Sequence, residues 1–180
     1  MKKKANNEDK IMWKVMIVDD EKLICKLVQA LVEWDKLGMQ MAAQAENAIQ
    51  ALDMLQQYRP DILITDIRMP GMDGLELIKN AKKICPELEI IIISGYAHFE
   101  YARNALSLGV GNYLLKPIKQ DELNETLRKI GERLDAKKSA QGMEMAERRV
   151  SESDVNRLRY ALLKDLVAVS YTHLTLPTIA

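Results

Sequence analysis

Apolar residues recur in two alternating rhythms between residues 13 and 133. Short unbroken runs, Val15-Met16-Ile17-Val18, Ile62-Leu63-Ile64, Ile90 to Ile93 and Tyr113-Leu114-Leu115, have the pattern of strands buried on both faces of a parallel sheet. Met39 to Ala45 is a weaker strand. The stretches between them carry helical spacing. From Lys22, the positions Leu23, Leu27, Leu31 and Trp34 predict one amphipathic helix, with Gly38 just past its end. Asn47 through Gln57 is predicted helical with Ile49, Leu52 and Leu55 on one face, broken at Pro60. Further helices are predicted from Leu75 to about Ile84, from roughly His98 to Leu108, and from near Asp121 with the stripe Leu123, Leu127, Ile130 and Leu134.

Five strand-helix units in strict alternation imply an α/β fold, a doubly wound parallel sheet with right-handed crossovers. In such sheets the ligand site lies beyond the carboxyl ends of the strands, where the order reverses. The unusual polar residues stand at those ends: Asp19 and Asp20, Asp66, Ser94 and Lys116. One such carboxylate could be a helix N-cap. Five such residues at matching positions on four strands are not explained as caps.

Three clustered carboxylates repel one another and stay ionised together only if a cation joins them. Oxygen ligands with open water positions favour Mg²⁺. With the metal screening the carboxylates, one aspartate can act as nucleophile toward a phosphoryl group. Ser94 and Lys116 then supply the hydroxyl and ammonium that the transferring charge needs.

The strings Val-Asp19-Asp20-Glu, Thr65-Asp66-Ile-Arg-Met-Pro-Gly-Met-Asp-Gly, Ser94-Gly and Lys116-Pro117 together resemble the receiver domain of two-component response regulators, over roughly Trp13 to Arg133. The resemblance implies a flavodoxin-like five-stranded sheet of order 2-1-3-4-5. It implies that Asp66 accepts a phosphoryl group from a sensor histidine kinase. Asp20 would bind Mg²⁺ directly, Asp19 through water, and Asp66 and the backbone carbonyl of Arg68 would complete the protein ligands. Lys116 would contact the phosphoryl group, and its bond to Pro117 would be cis. Ser94 and Tyr113 would form the switch, Ser94 drawn to the phosphoryl group and Tyr113 turning into the space it leaves. The output face would then lie on the helix His98 to Leu108, the last strand and the last helix, with homodimerisation on phosphorylation as one outcome. The chain would be a switch rather than an enzyme.

Two other chemistries are disfavoured. A haloacid-dehalogenase-type phosphatase wants a second aspartate two residues after the nucleophile, where this chain has Arg68. A dinucleotide-binding domain needs glycines after the first strand, where Asp19-Asp20-Glu21 would repel a pyrophosphate.

The 26 basic and 26 acidic side chains balance, which argues against a dominant nucleic-acid-binding surface within these residues. Cys25 and Cys85 are distant and unpatterned, as expected of buried thiols in a reducing compartment. Met1-Lys2-Lys3-Lys4 is followed by polar residues rather than an apolar signal core, and no apolar run is long enough to span a bilayer. A cytoplasmic location with no membrane contact is expected.

The strings Trp34-Asp-Lys-Leu-Gly-Met and Ser94-Gly-Tyr-Ala-His-Phe-Glu-Tyr-Ala resemble regulators of the YesN kind, which join a receiver to an AraC-type pair of helix-turn-helix units. DNA would then be bound only through a domain absent from this chain; a stand-alone receiver working through protein contacts is the alternative. The expected organisation is a disordered 1–12, a receiver at 13–133, a helical linker at 134–168 and a tail at 169–180. Met143, Ala146, Val150, Leu158, Leu162 and Leu166 give the linker a patchy stripe, short of a clean coiled coil. Val169 to Thr178 has no helical period and matches the translation of a transposon-type sequencing adapter, so the natural sequence is expected to depart from this one near Ala168, and His173 is no ligand.

Overall fold

The computed structural model describes residues 12–95 and 99–143. The expectations for 1–11, for Tyr96 and His98, and for the linker and tail beyond 143 lie outside the described residues. Strands β1 (Trp13–Val18), β2 (Met39–Ala45), β3 (Ile62–Thr65), β4 (Glu89–Ser94) and β5 (Asn112–Leu115) form one parallel sheet of order β2-β1-β3-β4-β5. The connecting helices are α1 (Lys22–Leu31), α2 (Trp34–Leu37), α3 (Ala48–Tyr58), α4 (Gly74–Ile84) and α5 (Phe99–Ser107). A last helix, α6, begins at 120. The chain divides into two units between Glu132 and Arg133, and residues 133–143 of the second are helical.

The sheet is buried on both faces, as its unbroken apolar runs require. Met16, Val18, Leu63, Ile90 and Ile92 join one cluster with Ala48, Ala51, Leu55, Leu77, Ile78, Ala81 and Ala105 from α3, α4 and α5. The alternate residues Val15, Ile17, Ile62, Ile64, Ile91 and Ile93 are buried as well. By the two-residue period of a strand they point the other way. The second layer comes from α1 and α6, which bury Cys25, Val28, Leu123, Leu127 and Ile130.

Helix ends follow local chemistry. The side chains of Asn47 and Asp73 accept from the backbone N–H of Gln50 and Glu76, capping α3 and α4; each such cap contributes about 1 kcal/mol. Gly38 ends α2 with φ 64°, and Arg59 ends α3 with φ 46° just before Pro60.

Three sequence expectations change. The predicted helix from Lys22 is two helices, since α1 stops at Leu31 and Trp34 opens α2. Leu23 and Leu27 are 76% and 43% exposed, so the first half of the predicted stripe faces outward, while its Leu31 and Trp34 are half-buried. Ile49 is 67% exposed, and α3 packs through Ala48, Ala51 and Leu55 instead.

Candidate functional site

Strand register determines which residues meet. Val18 pairs with Thr65, so Asp19 and Asp66, one step beyond each, stand side by side. Ser94 pairs with Leu115, which puts Lys116 just past the end of β4, and the Lys116 N–H donates to the Ser94 carbonyl at 2.9 Å. Asp19, Asp66 and Ser94 are buried, whereas Asp20 is exposed.

One carboxylate oxygen from each of Asp19, Asp20 and Asp66 lies within 4.8 Å of the other two. Lys116 Nζ donates to Asp66 Oδ2 at 2.8 Å and to Asp19 Oδ2 at 3.0 Å. The other Asp66 oxygen, Oδ1, accepts the backbone N–H of Ile67 at 2.6 Å and of Arg68 at 3.3 Å. Asp19 Oδ1 accepts the N–H of Glu21 at 2.9 Å. Both buried carboxylates are therefore held at each oxygen, and their direction is fixed.

The charges do not balance. Three carboxylates face the Lys116 ammonium, leaving an excess of negative charge. Burial pushes the Asp19 carboxyl above the ordinary carboxylate range, even though the Glu21 N–H and Lys116 favour its ionised form. Burial opposes the Lys116 charge, but its bonds to Asp66 and Asp19 prevail and hold its ammonium above the usual lysine value. An all-oxygen donor set with one member open to solvent and an uncompensated negative charge fits a hard divalent cation.

Two supporting contacts escaped the sequence reading. Gly74 opens α4 against the loop that follows Asp66, donating its N–H to the Ile67 carbonyl at 2.7 Å. A Cβ at Gly74 would lie 2.0 Å from the Asp66 carbonyl oxygen, so only glycine allows the helix to start there. The signal was present in Met72-Asp73-Gly74, but a glycine at a helix start does not name the backbone it touches. The buried Cys25 thiol donates to the Asp19 carbonyl at 3.7 Å, and burial pushes it up to about 11, a thiol held inert.

Of the remaining predicted residues, Tyr113 is half-buried, pairs with Ile92 across the sheet and packs on the core. The Lys116–Pro117 bond is cis. Arg68 is exposed, with its guanidinium carbon 6.0 Å from the Tyr101 ring centroid. Among the described residues no helix is long and apolar enough to cross a membrane.

Comparison with known proteins identifies the family. The response regulator receiver domain family matches residues 15–128. The transcriptional regulatory protein YesN of Bacillus subtilis is 40% identical over 119 residues, 66% of this chain and 32% of YesN. The transcriptional regulatory protein HptR of Staphylococcus aureus is 32% identical over 135 residues, 75% of this chain and 53% of HptR. The chain thus spans about a third to a half of these relatives' length. Among solved structures, the receiver domain of AraT, a response regulator from Geobacillus stearothermophilus, superposes with a TM-score of 0.67 at 38% identity, covering 71% of this chain and 98% of that one. The chain belongs to the response regulator receiver domain family, and its role is that of the receiver in a two-component phosphorelay.

Proposed function

We propose that Asp66 is the phosphoacceptor, and that Asp19, Asp20, Asp66 and the Arg68 carbonyl hold a Mg²⁺ ion beside it. The observation that carries this reading is the convergence on Asp66 of Lys116, two backbone N–H groups and two further carboxylates. The ion, when bound, would screen the carboxylates and the charge of the incoming phosphoryl group.

The residues divide the remaining work. Oδ1 of Asp66 is pinned by two backbone donors, whereas Oδ2 is held by a flexible lysine. Oδ2 is therefore the oxygen that exchanges its partner for phosphorus. An Oδ2–P bond forms as the N–P bond of a kinase phosphohistidine breaks, its electron pair returning to the imidazole. Lys116 follows onto the phosphoryl oxygens. Ser94, at the same sheet edge, supplies a hydroxyl, and Tyr113 responds to its movement.

The partner is a sensor histidine kinase, and the setting is the cytoplasm. Exposed Leu106 on α5 and Leu115 on β5, 66% and 46% accessible, mark the face that a phosphorylation-dependent homodimer would cover. The protein works as a switch rather than as an enzyme. In the whole protein the output is transcriptional, which the names of YesN and HptR support, and it would run through an AraC-type helix-turn-helix domain.

Borohydride reduction of the phosphorylated chain followed by peptide mapping tests the acceptor. Homoserine at position 66 is expected, and reduction at another aspartate would overturn the assignment. Reading the natural coding sequence past Ala168 tests the output: two helix-turn-helix units in frame are expected, and a stop codon would contradict it.

A further inference from the structure

Thr65 ends β3 and is fully buried, a hydroxyl in a strand whose other residues, Ile62, Leu63 and Ile64, are apolar. Its Oγ1 donates to the Asp66 carbonyl oxygen at 2.9 Å. That carbonyl and the Ile67 N–H are the two ends of one planar peptide unit. The Ile67 N–H in turn donates to Asp66 Oδ1 at 2.6 Å. Thr65 therefore holds one end of the peptide whose other end pins the acceptor carboxylate. Gly74 closes on the same carbonyl, since a Cβ there would lie 2.0 Å from its oxygen, so the backbone of α4 fills the space beside it.

We propose that Thr65 is a positioning residue for phosphoryl transfer: its buried hydroxyl fixes the Asp66–Ile67 peptide, and that peptide orients the Asp66 carboxylate. The inference rests on Asp66 as the phosphoacceptor. Strand formation alone does not call for the hydroxyl, because valine suits a buried strand as well as threonine. A buried hydroxyl is a cost unless it is bonded, and here the bond lands on the peptide next to the nucleophile. Without it the peptide is free to tilt, the Ile67 N–H leaves Oδ1, and Oδ2 is presented less often along the line of attack. Transfer rates fall with that kind of misorientation.

Phosphoryl uptake by the full chain from acetyl phosphate at saturating Mg²⁺, timed by intact mass, tests this together with amide hydrogen exchange. Thr65→Val keeps the shape and removes the donor. It should slow uptake about two- to tenfold, the range one intramolecular hydrogen bond is worth. Exchange at the Ile67 amide should quicken relative to the Leu63 amide of the same strand. Thr65→Ser restores the donor and should match wild type in both readings. Unchanged uptake or unchanged Ile67 exchange in Thr65→Val would overturn the inference. Equal slowing in Thr65→Ser and Thr65→Val would show a merely structural role and overturn it as well. Absence of uptake by wild type, or uptake at another aspartate, would instead overturn the Asp66 reading, and the inference with it.

Discussion

Lys116 Nζ lies 2.8 Å from Oδ2 of Asp66, and the same ammonium reaches Asp19 at 3.0 Å. One flexible cation thus holds together two carboxylates that the sheet register forces into contact. Removing it as Lys116→Met leaves both without their charged partner. Breaking a fully buried pair costs about 3–5 kcal/mol. The Lys116 side chain is 18% exposed and water screens it in part, so a loss of about 1–3 kcal/mol is expected. Urea unfolding without divalent cations measures it, and added Mg²⁺ should recover part of the loss. A loss indifferent to Mg²⁺ would contradict a shared electrostatic role.

Asp19 gives a pH dependence. Its carboxyl titrates above the usual range because burial outweighs the bonds from the Glu21 N–H and Lys116. A group raised in the folded state favours folding most below its unfolded pKa of about 3.9, and that contribution is lost as pH rises through the higher folded value. At neutral pH, ionised Asp19 is therefore a cost that a metal ion relieves. In metal-free buffer, Asp19→Asn should gain stability relative to wild type as pH rises from about 4 toward 7, and it should bind Mg²⁺ more weakly. Thermal unfolding across that range checks the sign; a difference that stays constant with pH would contradict it.

Gly74 has no room for a side chain. Because a Cβ there would meet the Asp66 carbonyl oxygen at 2.0 Å, Gly74→Ala must displace either the start of α4 or the backbone of Asp66. Overpacking of this kind costs about 1–3 kcal/mol. Chemical denaturation should show that loss, together with weakened Mg²⁺ affinity from the displaced Asp66. Wild-type values for both would mean that the contact relaxes without consequence.

Asn124 joins α6 to the end of α1. Its Oδ1 accepts from the Glu33 N–H at 2.9 Å, and its Nδ2 donates to the Leu31 carbonyl at 2.8 Å, one of the carbonyls a helix end leaves unpaired. Asn124→Leu strands both groups, at a cost of about 1–3 kcal/mol. Denaturant midpoints measure it, and a change under about 0.5 kcal/mol, the range of ordinary surface substitutions, would show that water replaces the side chain fully.

Strands β1, β3 and β4 were legible because short unbroken apolar runs bounded by turn residues mark strands buried on both faces, whereas β2, with Gln40 and Gln44, gave a weaker signal. Helix faces were less legible. In α1, Leu23 and Leu27 lie outward while Cys25 and Val28 are buried on the neighbouring stripe, and spacing cannot choose between neighbouring stripes. In α3 the buried face is led by Ala48 and Ala51, whose small side chains let the helix approach the sheet but give little hydrophobic signal, so Ile49 drew attention it did not merit. The acidic residues of the site were legible because each follows an apolar strand directly. The bridging position of Lys116 was not, since its partners lie 97 and 50 residues away and only the strand order brings them together.

The central claim is tested most directly by intact-mass measurement after incubation with acetyl phosphate, with and without Mg²⁺, for wild type and Asp66→Asn. A single phosphoryl adduct that needs Mg²⁺ and disappears in the variant is the expected result. A folded wild-type protein that binds Mg²⁺ yet takes up no phosphoryl group, or an adduct that persists in Asp66→Asn, would contradict Asp66 as the acceptor.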